Sequence, residues 1–239
     1  MLEIIAESLS DALAIENNGG DRIELISSLG EGGLTPSYGL VKQVISTVSI
    51  PVNVMIRPHS TSFHYSHHDL DIMKEDARIF YELGVKHVVL GILDYEGLPC
   101  MESLEYILED TNLTATFHRA IDESSDILAS LRLLAGNKRI THVLTSGGQG
   151  RAEDNLDMIK ELIEESDDLT IIIASGISAK NINAIQNEID FVFEGENNGY
   201  REYDVHVGTG VRGGSSTQPV SGDEVKHLAS LYANHRVVL

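Results

Sequence analysis

Three side chains with complementary acid–base chemistry fall close together in the stretch TFHRAID, residues 116–122. His118 can give or take a proton near neutral pH, Arg119 is a fixed positive charge, and Asp122 is a carboxylate. The preceding residues have the β-branched and apolar composition of a strand. A strand that ends in this way is typical of a catalytic or ligand-binding site.

Side-chain alternation decides which of these residues can face such a site. Successive side chains of a strand point to opposite faces, so His118 and Arg119 cannot both point inward from a regular strand. Thr116 shares the parity of His118, which predicts His118 as the inward residue. Either the strand ends at His118 and the backbone turns Arg119 over the rim, or Arg119 packs outward under the next helix. We expect a carboxylate to hold Arg119, and Asp122 to pair with it or to cap the following helix.

Strand-like segments alternate with amphipathic helical segments along the chain, which predicts a parallel sheet. With eight such units, a closed (β/α)8 TIM barrel is favoured over an open doubly wound sheet. No linker or low-complexity tract marks a second domain, so residues 1–239 are predicted to form one domain. The strand candidates are 2–7, 22–26, 52–57, 87–92, 114–119, 141–146, 170–175 and 203–208.

The eighth strand has a second candidate, DFVFEG at 190–195, besides YDVHVG at 203–208. We favour YDVHVG, because the other choice would leave an unusually long polar tail. DFVFEG then belongs to a small insertion after the seventh helix, before the last strand.

The amino-acid composition excludes several classes of protein. The chain has 37 acidic and 17 basic residues and a formal net charge of −20, which disfavours nucleic acid and anionic membranes as partners. A single cysteine, Cys100, excludes an internal disulfide and is typical of a reducing compartment. No segment approaches the roughly 18 apolar residues of a membrane span. We expect a soluble, cytoplasmic protein.

One face of several predicted strands is polar at every second residue, although parallel strands covered by helices are usually apolar on both faces. The apolar parity should face the helices, and the polar parity should fill the barrel interior. Burying these charges is costly unless they pair, as Glu24 would with Arg22 or Arg57, or contact a ligand. The polar set is Glu3, Glu7, Arg22, Glu24, Asn53, Arg57, Thr114, Thr116, His118, Asp204 and His206.

The carboxyl ends of these strands are predicted to form the mouth of the barrel, where barrel enzymes have their active sites. The alternative is a polar core that neutralises its own charges and performs no chemistry. The residues expected at the mouth are Glu7, Arg57, His118 and His206. The predicted roles are acid–base catalysis for His118 and Glu7, anion binding for Arg57 and Arg119, and orientation for Asp122 and Glu24.

Two glycine-containing segments are compatible with phosphate binding. ASGIS at 174–178 follows the seventh strand and VGTGVRGGSS at 207–216 follows the eighth, the usual place of a phosphate site in barrel enzymes. Glycines are also common in such loops for turn geometry alone. The lysines do not fall at carboxyl strand ends, which disfavours Schiff-base chemistry. The candidate ligand residues are Gly176, Gly208, Gly210 and Arg212.

Five motifs follow one another along the chain: DRIELISSLGEGGLTPSYG (21–39), VNVMIRP (52–58), TFHRAID (116–122), HVLTSGG (142–148) and DVHVG (204–208). In this order they resemble the CutC copper homeostasis family, over nearly the whole chain. The resemblance implies a TIM barrel, a homo-oligomer and a part in copper homeostasis, with copper as the implied cofactor. The residues shared with the family look like an enzyme mouth without an established substrate.

The resemblance also implies Cu(I) ligands that this sequence lacks. The family's proposed ligands are two cysteines, and the matching positions here are Ile5 and Ile26. Cu(I) prefers thiolate or thioether sulfur, which isoleucine does not supply. The remaining sulfur is in Cys100 and five methionines, of which Met55 alone has barrel-facing parity. We therefore expect no tight Cu(I) site of the two-cysteine type.

A histidine-rich loop departs from the family pattern in the other direction. RPHSTSFHYSHHD at 57–69 replaces the family's usual RPRGGDFLYSD. Imidazoles suit Cu(II), Zn(II) or Ni(II), and this loop follows the third strand at the mouth. The alternative is a solvated loop in which Ser66 caps the next helix. The histidines are His59, His64, His67 and His68.

Three functions remain open at this point. The first is a copper homeostasis protein that binds copper weakly or indirectly. The second is a barrel enzyme acting by acid–base chemistry on a small anionic, for example phosphorylated, metabolite. The third is an oligomeric barrel without catalysis.

Overall fold

Eight parallel strands close into one barrel, in which each strand pairs with its neighbours in chain order and the first pairs with the last. The computed structural model describes residues 1–166, 168–195 and 203–237. The predicted (β/α)8 TIM barrel is confirmed. The strands are β1 (Leu2–Ala6), β2 (Arg22–Leu25), β3 (Val52–Met55), β4 (His87–Leu90), β5 (Thr114–Phe117), β6 (Ile140–Thr145), β7 (Thr170–Ile173) and β8 (Tyr203–Val207).

Helices follow the strands and cover the outside of the barrel. The third begins after Ser66, whose side chain accepts a hydrogen bond from the Asp69 backbone N–H in a capping box. None of the described helices is both long and apolar enough to cross a membrane. The helices are α1 (Leu9–Asn17), α2 (Tyr38–Thr47), α3 (His67–Glu82), α4 (Met101–Leu108), α5 (Ile127–Ala135), α6 (Leu156–Glu165), α7 (Ile182–Gly195) and α8 (Gly222–Val237).

All eight strands end one or two residues earlier than the sequence pattern predicts. β3 ends at Met55, β5 at Phe117 and β7 at Ile173, each two residues before the predicted end. The next residues keep the inward and outward alternation, and several still donate a backbone hydrogen bond to the neighbouring strand, such as Ile56 to Val89 and His118 to Leu90. They form the mouth, which explains why their sequence still has a strand pattern.

The two candidates for the eighth strand are resolved by α7 and β8. β8 is formed by Tyr203–Val207, as favoured. The other candidate, 190–195, is the end of α7, so its predicted place in an insertion after the helix is wrong. The buried residues Ile182, Ile185 and Ile189 have helical spacing and carry the helix into this segment. The remainder of the predicted insertion, 196–202, lies outside the described residues.

The barrel wall separates a large outer core from a smaller interior. The outer core packs strand residues such as Ile4, Ile23 and Val54 against the helices. Burial of each such side chain contributes about 1.5–3 kcal/mol, so the outer core stabilises the fold. As predicted, the strand residues of the polar alternation point into the interior, which also contains two small apolar clusters. These are Ile5, Ile26, Met55 and Val89, and Leu144, Ile172 and Ala174.

Candidate functional site

A cavity of about 460 Å³ opens at the carboxyl ends of the strands. One part of its wall is apolar and includes Met55, Phe63 and Leu144. The other part carries ionisable side chains from β2, β8 and the segments after β3 and β5. These ionisable residues include Glu24, Arg57, His118, Arg119, Asp122 and His206, all of them predicted site residues.

His118 directly follows β5 and caps the short 3-10 turn Arg119–Glu123. Its Nδ1 accepts a hydrogen bond from the Ala120 backbone N–H at 3.1 Å, so the neutral ring carries its hydrogen on Nε2. Nε2 is buried and has no hydrogen-bond partner in the described part of the chain. His118 therefore lines the cavity with an unpartnered N–H donor, and it lacks the free basic nitrogen that an acid–base role would require.

Burial keeps this imidazole neutral. It lowers the pKa of His118 to about 3, and the positive charge of Arg57 acts in the same direction. The Phe63 ring packs with its centre 5.0 Å from that of the imidazole. On another side, a Cβ at Gly91 would lie 2.4 Å from His118 Nδ1, so only glycine leaves room for the ring. These contacts fix the donor in place.

Arg57 lies two residues after β3 and is only 8% exposed. Its Nη1 donates to the carbonyl oxygens of Glu31 and Gly33 at 3.2 and 3.3 Å. Its guanidinium carbon lies 4.7 Å from the centre of the Phe63 ring. The neighbouring Tyr65 hydroxyl is no counter-ion, because burial raises its pKa to about 12.

The guanidinium of Arg57 takes part in no ion pair among the described residues, unlike the other buried arginines, Arg22 and Arg212. A buried positive charge without a negative partner is costly. The cost is removed when an anion binds in the cavity, so this geometry supports the predicted anion-binding role of Arg57.

Glu24, in β2, lies deeper in the barrel and is 2% exposed. Its Oε1 has no hydrogen-bond partner within the described residues, and its Oε2 lies 3.7 Å from His206 Nε2. Burial raises the pKa of Glu24 to about 7. The predicted pairing with an arginine is wrong, because Arg22 bonds Glu3 instead. A buried carboxyl group with this pKa at a cavity can both take and return a proton.

Arg119 and Asp122 form the pair that the sequence predicts. Arg119 Nε donates to Asp122 Oδ2 at 2.8 Å, and its Nη2 donates to Ser146 Oγ at 2.9 Å. The strand ends before His118, so the backbone turns Arg119 over the rim, as in the first predicted alternative. Asp122 also accepts from the backbone N–H groups of Ser146 and Gly148. Its carboxylate is saturated and orients Arg119.

Glu7 and Arg212 do not line the cavity, in contrast to the prediction. Glu7 Oε1 accepts from the Leu29 backbone N–H at 2.8 Å. Arg212 is 3% exposed, and its Nη2 donates to Asp11 Oδ2 at 3.0 Å. Both side chains tie loops together at the mouth. The geometry therefore does not support acid–base catalysis by Glu7 or anion binding by Arg212.

Of the three glycines predicted to bind a ligand, two line the cavity and one does not. Gly176 and Gly208 line the cavity, and anion binding by their backbone stays a prediction. Gly210 does not line it, because its backbone packs so closely that a Cβ would lie 2.1 Å from the Ile177 carbonyl oxygen. Ser175 lines the cavity with a φ of +79°, a conformation that costs free energy and that clusters at functional sites.

The interior does not fit Cu(I). Ile5 and Ile26, at the positions of the family's cysteines, pack with Met55 and Val89 in an apolar cluster. The Met55 thioether is the sole sulfur of that cluster. Cys100 lies elsewhere, at the N-cap of α4. The cluster at the positions of the family's cysteines therefore offers Cu(I) one thioether and no thiolate, which is a poor ligand set.

The histidine-rich loop does not bring its imidazoles together. His59 Nε2 lies 3.7 Å from the Asp69 carboxylate. His64 Nδ1 lies 3.0 Å from the carbonyl oxygen of Leu93. The other two histidines are exposed at the start of α3. Within the described residues, these four form no cluster of three metal ligands.

Two residues of the site were not singled out from the sequence. Phe63 contacts both His118 and Arg57, but an aromatic residue in a polar loop gives no sign of where it points. Gly91 is the last residue of inward parity in the strand pattern HVVLGI, residues 87–92. That parity was a usable signal, since a glycine at a strand end often marks a close approach.

The fold and the mouth together define a TIM-barrel protein with a buried, ligand-sized site at the carboxyl ends of its strands. A family model described as the CutC family matches residues 1–192, and the chain belongs to that family. The match ends before β8, so the DVHVG motif lies outside it.

Curated relatives agree with this assignment. A family protein CutC from Salmonella agona is 39% identical over 191 residues, which cover 80% of this chain and 75% of the relative. One from Photorhabdus laumondii is 42% identical over 186 residues, covering 76% and 73%.

Two solved structures are also similar. A candidate copper homeostasis protein CutC from Streptococcus agalactiae has a TM-score of 0.77 and 31% identity, covering 87% of this chain and 98% of that one. The phosphoribosyl anthranilate isomerase of Thermococcus kodakaraensis has a TM-score of 0.63 at 13% identity, covering 98% of both chains. At that identity the second match shows the fold alone.

Proposed function

We propose that this protein is an enzyme that moves a proton on a small anionic metabolite bound in the mouth of the barrel. One observation carries the proposal. Three buried polar atoms on residues of one cavity wall have no hydrogen-bond partner among the described residues: Glu24 Oε1, Arg57 Nε and His118 Nε2. Each such atom costs about 1–3 kcal/mol when left unpaired. A ligand with complementary groups removes that cost.

The three groups have different and compatible roles. Arg57 binds the anionic group of the substrate, a carboxylate or a phosphate. The Nε2–H of His118 donates a hydrogen bond to a carbonyl oxygen and stabilises the negative charge that develops there. Glu24, in its ionised form, is the base.

The proton transfer needs no co-reactant. The Glu24 carboxylate takes a proton from the carbon next to the carbonyl group, and the C–H electron pair forms a C=C bond while the carbonyl π pair moves to oxygen. The Glu24 carboxyl group then returns the proton to the enolate oxygen, whose electron pair forms the O–H bond, and the product is the enol isomer of the substrate. The low pKa of His118 keeps the imidazole a neutral donor throughout.

Anion binding is tested first, by thermal denaturation in the presence of a panel of small carboxylates and phosphate esters. We expect at least one of them to raise the melting temperature of the wild type and not of Arg57→Met. The matched control is Arg132→Met, which removes an exposed arginine of α5 that pairs with Glu165. A compound that stabilises Arg57→Met as well as the wild type contradicts anion binding by Arg57.

Proton transfer is tested with the compounds found in that panel. Each is incubated with the protein in D2O, and loss of a C–H signal is followed by proton NMR. We expect exchange or isomerisation with the wild type and with Glu102→Gln, an exposed position of α4. Glu24→Gln should bind the compound without exchanging it. Exchange at the wild-type rate in Glu24→Gln would exclude Glu24 as the base.

A part in copper homeostasis is the second candidate, favoured by the description of the Streptococcus agalactiae structure. We infer that any such part is indirect, because the described interior supplies no thiolate for Cu(I). A cytoplasmic location and a homo-oligomer are proposed as well. The lone cysteine supports the first and the family resemblance supports the second.

A further inference from the structure

A buried cluster of Glu3, Glu24 and His206 forms the inner end of the site. Glu3 Oε1 lies 2.8 Å from His206 Nδ1. Glu3 is ionised: burial alone would raise its pKa, but Arg22 and His206 outweigh burial and hold the pKa well below its usual range. An ionised carboxylate can only accept, so Nδ1 is the donor and carries a hydrogen. The other ring nitrogen, Nε2, faces Glu24 Oε2 at 3.7 Å.

The charges around this cluster balance without Glu24 and His206. Glu3 and Asp204 are negative, and Arg22 pairs with both. The amino group of Met1, a second positive charge, pairs with Asp204. The remaining pair is therefore neutral only if it holds one proton, either as two uncharged groups or as carboxylate and imidazolium. With no proton or with two, the barrel would bury an uncompensated charge, which is costly.

We propose that Glu24 and His206 share one proton in the resting protein, and that Glu3 is the positioning residue that aims His206 Nε2 at Glu24. This inference rests on the proposed function, because it assigns a proton-exchange partner to the Glu24 base. A lone buried carboxyl group holds its own proton and is then a poor base. With an imidazole behind it, Glu24 is a carboxylate whenever the shared proton lies on Nε2, and it can then take a proton from the substrate and return it.

The directions of the pKa shifts of Glu24 and His206 agree with a proton shared between them. Burial lowers the pKa of His206, but the Glu24 and Glu3 carboxylates outweigh it and the pKa is raised. Since the two groups interact, their titrations belong to the pair. The interior groups that surround the pair are Glu3 of β1, Arg22 of β2, Asn53 of β3, His87 of β4, His142 of β6, Asp204 of β8 and the amino group of Met1.

Neither of the two other histidines in that set competes for the proton. Burial lowers the pKa of His87 to about 3, and burial lowers the pKa of His142 as well. Both rings stay neutral where the pair titrates.

Side-chain ¹⁵N NMR of the histidines tests the shared proton in the free protein, over about pH 5 to pH 9. In the wild type, His206 should titrate above the ordinary histidine pKa, with its hydrogen always on Nδ1. Glu24→Gln removes the negative partner and should lower the pKa of His206 by about one unit or more. Glu3→Gln should release the fixed tautomer. Glu102→Gln is the control and should change neither.

A His206 signal that does not respond to Glu24→Gln would overturn the proposal. So would stoichiometric binding of added Zn²⁺ or Mn²⁺ that both Glu24→Gln and His206→Asn abolish, because the cluster would then be a metal site. Glu24→Gln alone decides the matter if Glu3→Gln does not fold. No substrate is used, so failure here leaves the anion-binding and exchange experiments untouched.

Discussion

The two ends of the barrel interior have similar polar side chains and opposite degrees of pairing. At the amino end, Arg22 Nη2 lies 2.8 Å from Asp204, Asn53 donates to Glu3 at 3.0 Å, and both His87 nitrogens lie 2.8 Å from threonine hydroxyls. At the mouth, Arg57 has no carboxylate partner and His118 Nε2 has no partner of any kind among the described residues. The interpretation as a self-neutralising core describes the first end only.

This difference separates scaffold from site. A saturated network stabilises the structure in which it is found, and removing one member leaves the others unpaired. An unsaturated group costs stability and is useful only when a ligand completes it. The same kind of substitution should therefore have opposite consequences at the two ends.

Arg22→Met should show the largest effect. It leaves Glu3 and Asp204 without the cation that joins them, and breaking a buried ion pair in this way costs about 3–5 kcal/mol. Urea unfolding at neutral pH measures the loss, with Arg132→Met as a surface control that should change little. A loss for Arg22→Met no larger than for the control would show that the amino end is not a scaffold.

The pH dependence of stability should show the next largest effect, through His118. Its pKa is about 3 in the folded protein and 6.5 ordinarily. Below 6.5 the unfolded chain binds a proton that the folded chain does not. Stability is therefore lost as the pH falls from 6.5 towards 3, by up to about 1.4 kcal/mol per pH unit. Urea unfolding of His118→Gln should show a shallower acid slope, whereas His227→Gln, an exposed control on α8, should not.

Glu24 should affect the pH dependence of stability in the opposite direction from His118, over an overlapping pH range. Its pKa is raised from 4.5 to about 7, so the folded chain keeps a proton that the unfolded chain releases. Stability is then lost as the pH rises from about 4.5 to about 7. Glu24→Gln should remove this loss of stability. If the free energy of unfolding of the variant, measured with urea, still falls between about pH 5 and pH 7 as in the wild type, the prediction is wrong.

Arg57→Met should change the free energy of unfolding by less than about 1 kcal/mol in either direction. The variant loses two hydrogen bonds to loop carbonyls and the Phe63 contact, but it also removes a buried charge without a counter-ion. Urea unfolding beside Arg22→Met gives the sharpest contrast between the two ends. A loss of several kcal/mol in Arg57→Met would mean that the mouth is as fully paired as the amino end.

The smallest expected effect is that of Cu(I). In a competition titration, the wild type should remove no Cu(I) from a chelator. The reason is that Ile5 and Ile26 occupy the positions of the family's cysteines and supply no sulfur. The double variant Ile5→Cys/Ile26→Cys places two thiols in one cluster and should compete. Tight one-to-one binding by the wild type that Cys100→Ser abolishes would place copper at the start of α4.

The barrel could be predicted because its signal is repeated. Eight segments of strand pattern fix the closure, and the polar parity that several of them share fixes the inward face. The order of residues at the mouth follows from where each strand ends, which is why Arg57, His118 and Arg119 were found. Segment 190–195 was misplaced because a short apolar run fits a strand or the end of a buried helix equally well.

What could not be predicted depends on distances between strands. Glu24 was taken as an orienting partner, since no sequence pattern shows that Arg22 turns towards Glu3 and Asp204 and leaves Glu24 to His206. Arg212 was taken as a ligand residue because the pattern around it is glycine-rich. Its partner Asp11 is distant in the sequence, and such a pairing becomes visible only when the barrel closes.

The hydrogen on the His118 ring is placed by the main chain. The hydrogen lies on Nε2 because the backbone N–H of Ala120 donates to Nδ1, and that donor belongs to the main chain and not to a side chain. The space for the ring follows from a missing methyl group at Gly91. The direction in which this protein offers a hydrogen bond to a ligand is therefore encoded in the path of its backbone, and one added carbon atom on the neighbouring strand would be enough to redirect it.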